Sequence, residues 1–161
     1  MDKRQQKELL IALCGYLPYG IICDRPSGNS VITNIYFDKE YNDWVAYNEE
    51  GLGGSITLEK PYLRPMDSMT AEEKQHYRFL MREMELYGTH GTKLDDWLNK
   101  WKFDHRGLIS KGLAMPAPDG MYDTYKFFPT ESYNYFPPEF ETYAEYVEYL
   151  KSKGLAAEAP Q

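Results

Sequence analysis

The fold turns on the stretch from Tyr19 to Glu59, YGIICDRPSGNSVITNIYFDKEYNDWVAYNEEGLGGSITLE. Four short runs rich in Ile, Val, Thr, Tyr and Phe (YGIIC, VITNIYF, WVAY and SITL) read as strands. The breaks between them, PSGNS, DKEYND and EEGLGG, supply residues that tolerate positive φ or close a turn. Connections this short favour sequential antiparallel pairing, hence a small meander. Such a sheet cannot bury a face alone, so the flanking segments must cover it.

Upstream, residues 2–14 place Leu9, Leu10 and Leu13, with Leu17 beyond, at helical spacing opposite Lys3, Lys7 and Glu8. Gly15 is the expected left-handed cap, and Pro18 prevents continuation. Downstream, KPYLRPMDSM reads as a rigid connector, its prolines biasing their neighbours toward extended backbone. Thr70 and Glu73 form a capping box for a helix to Tyr87, with Tyr77, Leu80, Met81, Met84 and Tyr87 as its apolar face and His76 on its surface. Gly88 ends it, and His90 falls in the turn that follows. A further helix over residues 93–102 carries Leu94, Trp97, Leu98 and Trp101 at i, i+3, i+4 and i+7, which turns both Trp toward the core. FDHRGLISKGLA and MPAPDGMY read as loops by their glycines and prolines. A last helix over 143–153 has Thr142 and Glu145 as its box, Tyr143, Tyr146, Val147 and Leu150 as its stripe, and Gly154 at its end.

The fold class is therefore α+β: an N-terminal helix, a small antiparallel meander, then a helical half with a C-terminal helix. Residues 1–122 read as a single α+β domain and 123–161 as a Tyr-rich C-terminal extension. The 161 residues suffice for one hydrophobic core. A formal charge of −7 argues against sequence-independent phosphate binding as the main role. Cys14 and Cys23 stand in no metal-binding spacing and read as two buried thiols of a reducing, cytoplasmic compartment. The apolar run near the N-terminus is too short to span a membrane.

Several motifs carry a resemblance: LPYG at Leu17 to Gly20, PYLRPMDSMTAEE at Pro61 to Glu73, DWLN at Asp96 to Asn99, FDHRGLI at Phe103 to Ile109, and GLAMPAPDGMY at Gly112 to Tyr122. On these, the chain from Lys7 to Tyr122 resembles an uncharacterised family of small proteins of gut anaerobic bacteria, their phages and mobile elements. The resemblance implies a phage or mobile-element accessory protein, with the Tyr-rich tail an addition of some members, and carries over no catalytic residue.

Chemistry is sparse. Among His76, His90 and His105, only His105 has ionisable neighbours, Asp104 and Arg106, and adjacent side chains point apart. There is no HxxxH, HExxH or CxxC for a metal, and GLGG at Gly51 to Gly54 precedes a strand and reads as a hairpin turn. No cofactor is expected. The candidate binding residues are Trp97, Trp101, Asp104, His105 and Arg106 in the dense stretch WLNKWKFDHRGLI, with Tyr133, Tyr135 and Phe136 in the tail. The reading is a non-enzymatic protein acting through a protein partner or self-association, without a membrane. Nucleic-acid contact through the basic, aromatic face of Lys93 to Lys111 is the second reading, and a small hydrolase or transferase centred on His105 the third.

Overall fold

The computed structural model describes residues 1–88, 92–126 and 140–154. In chain order the elements are α1 (Lys3–Tyr16), β1 (Ile21–Asp24), β2 (Ser30–Asp38), β3 (Asp43–Asn48), β4 (Gly53–Ser55), β5 (Lys60–Leu63), α2 (Ala71–Tyr87), α3 (Thr92–Lys100), β6 (Met115–Pro116) and α4 (Tyr143–Ser152). This is the α+β order expected from the sequence. Packing groups Met1–Ser68 with Asp95–Tyr122 as one compact unit, and Met69–Leu94 with the chain from Asp123 onward as another.

In the first unit, α1 starts where Asp2 accepts the Gln5 N–H and the Gln5 side chain accepts the Asp2 N–H, a reciprocal capping box. Its face of Leu9, Ala12, Leu13 and Tyr16 is fully buried. Gly15 does not cap the helix. The helix runs on to Tyr16, a 3-10 turn follows over Leu17–Tyr19, and the left-handed residue is Gly20 at φ +73°. Gly15 is small for another reason: a Cβ there would lie 3.0 Å from the Asn99 side-chain amide.

The strands form one sheet in the order β4-β3-β2-β1-β5-β6, antiparallel except for the β5–β6 pair. The first four are the expected meander, with two corrections at its end. SITL is not a strand: Gly53–Ser55 pairs with β3, and Ile56–Leu58 then forms a 3-10 turn that puts Ile56 in the core. The connector is itself partly β5, with Cys23 opposite a buried Pro61. Met115 and Pro116, read as irregular, form the outermost strand, an edge position where proline is tolerated because its missing N–H interrupts no ladder.

The inner sheet face, Ile21, Cys23, Ile32, Ala46 and Leu63, packs with the apolar side of α1 and with Leu108 and Leu113. Each fully buried aliphatic side chain contributes about 2 kcal/mol of transfer free energy. Only one of the two thiols is buried, Cys23; Cys14 lies on the exposed side of α1.

One ion pair sits inside this unit. Arg25 Nε is 3.0 Å from Glu59 Oε1, with side chains 5% and 0% exposed. The same guanidinium donates to the carbonyls of Ala46 and Leu52, at 3.2 and 3.1 Å. It thereby ties the end of β1 to the β3–β4 hairpin. Gly54 leaves room there, since a Cβ would lie 3.0 Å from the guanidinium, tighter than an ordinary contact.

In the second unit, α2 has the expected capping box, Thr70 with Glu73. Its buried face is Glu73, His76, Phe79 and Leu80. Tyr77, Met81 and Met84 are half-buried, and Tyr87 is exposed. The rotation has a polar cause. Glu73 accepts the N–H of its own cap through Oε2 and the N–H of Tyr125 through Oε1, at 2.8 and 3.0 Å. His76 is consequently buried and not on the surface, its ring edge-on to Tyr125 at 4.5 Å. Burial pushes its imidazole down to about 4. In α4, Thr142 accepts the Glu145 N–H, but Glu145 reaches the N–H of Glu141 instead of closing the expected box. Tyr146 and Leu150 bury against Tyr125, Phe140 and Tyr143.

Candidate functional site

The dense stretch from Trp97 to Ile109 is a structural knot. Trp97 is buried and stacks on Phe103 with ring centroids 5.5 Å apart, and the Arg64 guanidinium lies over the Phe103 ring at 4.3 Å. Backbone bonds from Arg64 N–H to Lys102 O (2.7 Å) and from Asp104 N–H to Arg64 O (2.9 Å) fasten the loop to the chain beyond β5. The Tyr16 hydroxyl donates to Phe103 O at 2.7 Å.

Asp104 is buried, and its two carboxylate oxygens accept the N–H groups of Leu108 and Ile109, at 2.7 and 2.9 Å. It therefore organises the following turn. The His105 ring is bonded through Nε2 to Asn99 Oδ1 at 2.9 Å. Burial, and then the Arg106 charge, lower its pKa, against an opposing pull from Asp95 and Asp104. Arg106 is exposed, and Trp101 is half-buried. The lysines of the basic stretch are engaged locally: Lys100 over the Trp101 ring, Lys102 over Tyr122, Lys111 with Glu8 at 3.0 Å and Lys93 with Glu83 at 3.5 Å. Its aromatic components, Trp97 and Phe103, belong to the core. Tyr133, Tyr135 and Phe136, like His90, lie outside the described residues.

A different surface emerges on the outer face of the sheet. Along β2 and β3, Ile35, Phe37, Trp44 and Ala46 point to the α1 side, which turns Tyr36, Val45 and Tyr47 outward. The Tyr36 and Tyr47 rings are stacked, with centroids 4.9 Å apart and planes within 14°, and their hydroxyls are 2.5 Å apart. That bond raises the Tyr36 phenol to about 12, so it stays protonated at physiological pH. Tyr47 lies flat on Gly53, where a Cβ would meet the ring at 2.7 Å. Glycine under an aromatic ring is thus a packing requirement here.

Beside this stack a groove of about 480 Å³ is lined by Asp38, Tyr41, Asp43, Val45, Tyr47 and Gly53. Tyr41 is 75% exposed. Asp38 accepts the N–H groups of Glu40 and Tyr41 and so shapes the hairpin turn, and Asp43 Oδ2 accepts the Ser55 hydroxyl at 2.5 Å. The groove offers phenol faces and two carboxylates. Among the described residues, no three His, Cys, Asp or Glu side chains gather to hold a metal ion. The signal for this surface was the two-residue period of Asn34, Tyr36 and Asp38, answered by Val45 and Tyr47, with the glycine pair opposite.

Comparison with protein-family models, with curated proteins and with solved structures finds no match. Among the described residues, no helix is long and apolar enough to cross a membrane.

Proposed function

We propose that this chain is a non-enzymatic phage or mobile-element accessory protein that works by holding a protein partner, and that the partner presents a basic segment to the tyrosine groove of the outer sheet face. The carrying observation is the groove itself: a 75%-exposed Tyr41, the Tyr36–Tyr47 stack and the carboxylates of Asp38 and Asp43. Phenol faces attract Lys and Arg through cation–π contact, and nearby carboxylates add a directional charge. The net charge of −7 acts in the same sense at longer range. The accessory role and a cytoplasmic location rest on the resemblance and on two cysteines that are both free thiols.

The test is capture of partners from a lysate of the native host by the tagged full chain, with nuclease present, beside the variants Tyr41→Ala and Val45→Lys. The reading expects a protein retained after nuclease, released by rising salt, and depleted about tenfold or more by Val45→Lys, which places a cation in the groove. Recovery of nucleic acid alone, or of a protein indifferent to both substitutions, overturns it.

A further inference from the structure

The inner face of the β2–β3 hairpin runs on past the closed core. Ile32 and Ala46 are buried, but toward the turn the directly paired Phe37 and Trp44 stay partly open, Phe37 at 42% exposure. The polar start of α1 borders them. Lys3, Gln6, Lys7 and Leu10, at i, i+3, i+4 and i+7, share one side of that helix. With Phe37, Trp44, Asn42 and Asp43 they line a groove of about 340 Å³.

The charge of this groove is opposite to that of the chain. The protein carries −7, yet here two lysines and a single carboxylate form the lining. That carboxylate is already answered from within. Asp43 Oδ1 accepts from the Gln6 side-chain amide at 2.9 Å and from the Trp44 N–H at 2.8 Å, and Oδ2 accepts from the Ser55 hydroxyl at 2.5 Å. Arg4 and Lys111, the neighbouring cations, both engage Glu8. Lys3 and Lys7 make no ion pair among the described residues.

The floor is aromatic and angular. Phe37 and Trp44 meet edge to face, with centroids 5.5 Å apart and planes at 69°. A third ring can pack on such a corner in the same offset or edge-on manner. Leu10 lines its helix side.

We propose that this groove binds a small aromatic carboxylate, its ring in the corner of Leu10, Phe37 and Trp44 and its carboxylate at Lys3 and Lys7. The ring takes exposed apolar surface out of water, and the carboxylate supplies the counter-charge that the two lysines lack. Size argues for a small molecule over a protein segment. Small-molecule sites span roughly 300–1,000 Å³, so this one holds a ligand of one or two rings. A protein partner engages about 20–30 residues a side, against the eight that line this groove. The tyrosine groove lies on the other face of the hairpin and attracts the opposite charge, so either site can fail without the other.

Titration of naphthoate into the isotope-labelled full chain, followed by the indole N–H signals of the three Trp, tests this. The Trp44 signal is identified by its loss in Trp44→Phe. It should shift saturably with a dissociation constant below about 1 mM, while those of Trp97 and Trp101 stay in place. Neutral naphthamide should bind about tenfold more weakly or worse, and so should naphthoate to the chain carrying Lys3→Glu with Lys7→Glu. Both lysines are exposed, so the fold is retained, and Lys3→Arg with Lys7→Arg should keep the affinity. Tyr41→Ala, in the tyrosine groove, should leave it unchanged. A Trp44 signal that does not move, naphthamide binding as tightly as naphthoate, a charge-reversed chain that binds like wild type, or equal loss with Tyr41→Ala overturns the proposal.

Discussion

Replacing Glu59 with Gln isolates the cost of keeping a carboxylate inside the first unit. Glu59 is fully buried, and burial raises its pKa from the ordinary 4.5 to about 7, even though Arg25 beside it pulls the other way. A carboxyl that binds its proton more tightly when folded makes the folded state relatively more stable at low pH. The contribution is fully present below the unfolded pKa and is lost as pH rises from about 4.5 through about 7. Each pH unit of that interval is worth about 1.4 kcal/mol, so the term amounts to at most about 3 kcal/mol. The glutamine mimics the protonated carboxyl, so at the acid end the two proteins differ only by a constant; the attraction of Arg25 for the anion enters as pH rises and is already contained in the folded pKa. The quantity to follow is the difference in unfolding free energy between wild type and Glu59→Gln, measured by urea titration at several pH values. Trp44, Trp97 and Trp101 all lie in the first unit, so tryptophan emission reports on it directly. Wild type should lose up to about 3 kcal/mol relative to the variant between pH 4.5 and pH 8, or roughly 6–12 °C in Tm at about 2–4 °C per kcal/mol for a chain of this size. A difference that stays flat, or that moves in favour of wild type as pH rises, would show that Arg25 holds Glu59 as an anion and would refute the burial argument.

Gly53→Ala should destabilise the first unit by about 1–3 kcal/mol, because the new methyl displaces the Tyr47 ring, and the cost should largely vanish in a Tyr47→Ala background, as read by urea denaturation of the double-mutant cycle. Asp104→Ala removes the acceptor of two backbone N–H groups and should cost about 3 kcal/mol, well above the roughly 1 kcal/mol for His105→Ala, which loses one side-chain bond; similar losses in thermal melts would deny Asp104 its organising role. His76 carries the opposite pH sign to Glu59. Its folded pKa lies at about 4, below the ordinary 6.5, so stability is full above 6.5 and falls on acidification toward 4 by up to about 3 kcal/mol, and His76→Phe should remove that acid limb from the helical circular-dichroism melt.

The parts of the fold that were legible in the sequence are those decided locally. Thr70 and Thr142 cap their helices through contacts three residues away, and Asn42 and Gly51 turn the chain within the breaks where they stand. What escaped depends on distant partners. β5 exists because Lys60 and Pro61 find Asp24 and Cys23, and nothing within KPYLRP announces a strand. Gly15 answers to Asn99, and the face of α2 is set by Glu73 reaching Tyr125, fifty residues on. Asp104 and His105 stand side by side in sequence but diverge in the fold, Asp104 to the backbone of Leu108 and Ile109 and His105 to Asn99, while Arg106 is exposed. The tyrosines of β2 and β3 stand eleven residues apart and become adjacent only through the hairpin register.

The buried polar groups of the first unit explain how a surface of this kind is held in shape. Arg25 donates to Ala46 O and Leu52 O, one on β3 and one in the turn after it, so the strand that carries Val45 and Tyr47 is pinned from beneath. Asn48 closes that turn by accepting the N–H groups of Glu50 and Leu52, and Asp38 closes the preceding one by accepting those of Glu40 and Tyr41. Gly54 admits the guanidinium on one side of the hairpin and Gly53 admits the Tyr47 ring on the other. The interior ion pair and the outer groove are therefore two faces of one hairpin. Arg25 acts on the strand that carries Tyr47 through the carbonyl of the neighbouring Ala46. A buried ion pair is a poor source of net stability, since desolvation offsets most of its attraction. Its place under β3 and β4 accounts for its presence here in geometric terms: it fixes the position of the strand whose opposite face lines the tyrosine groove.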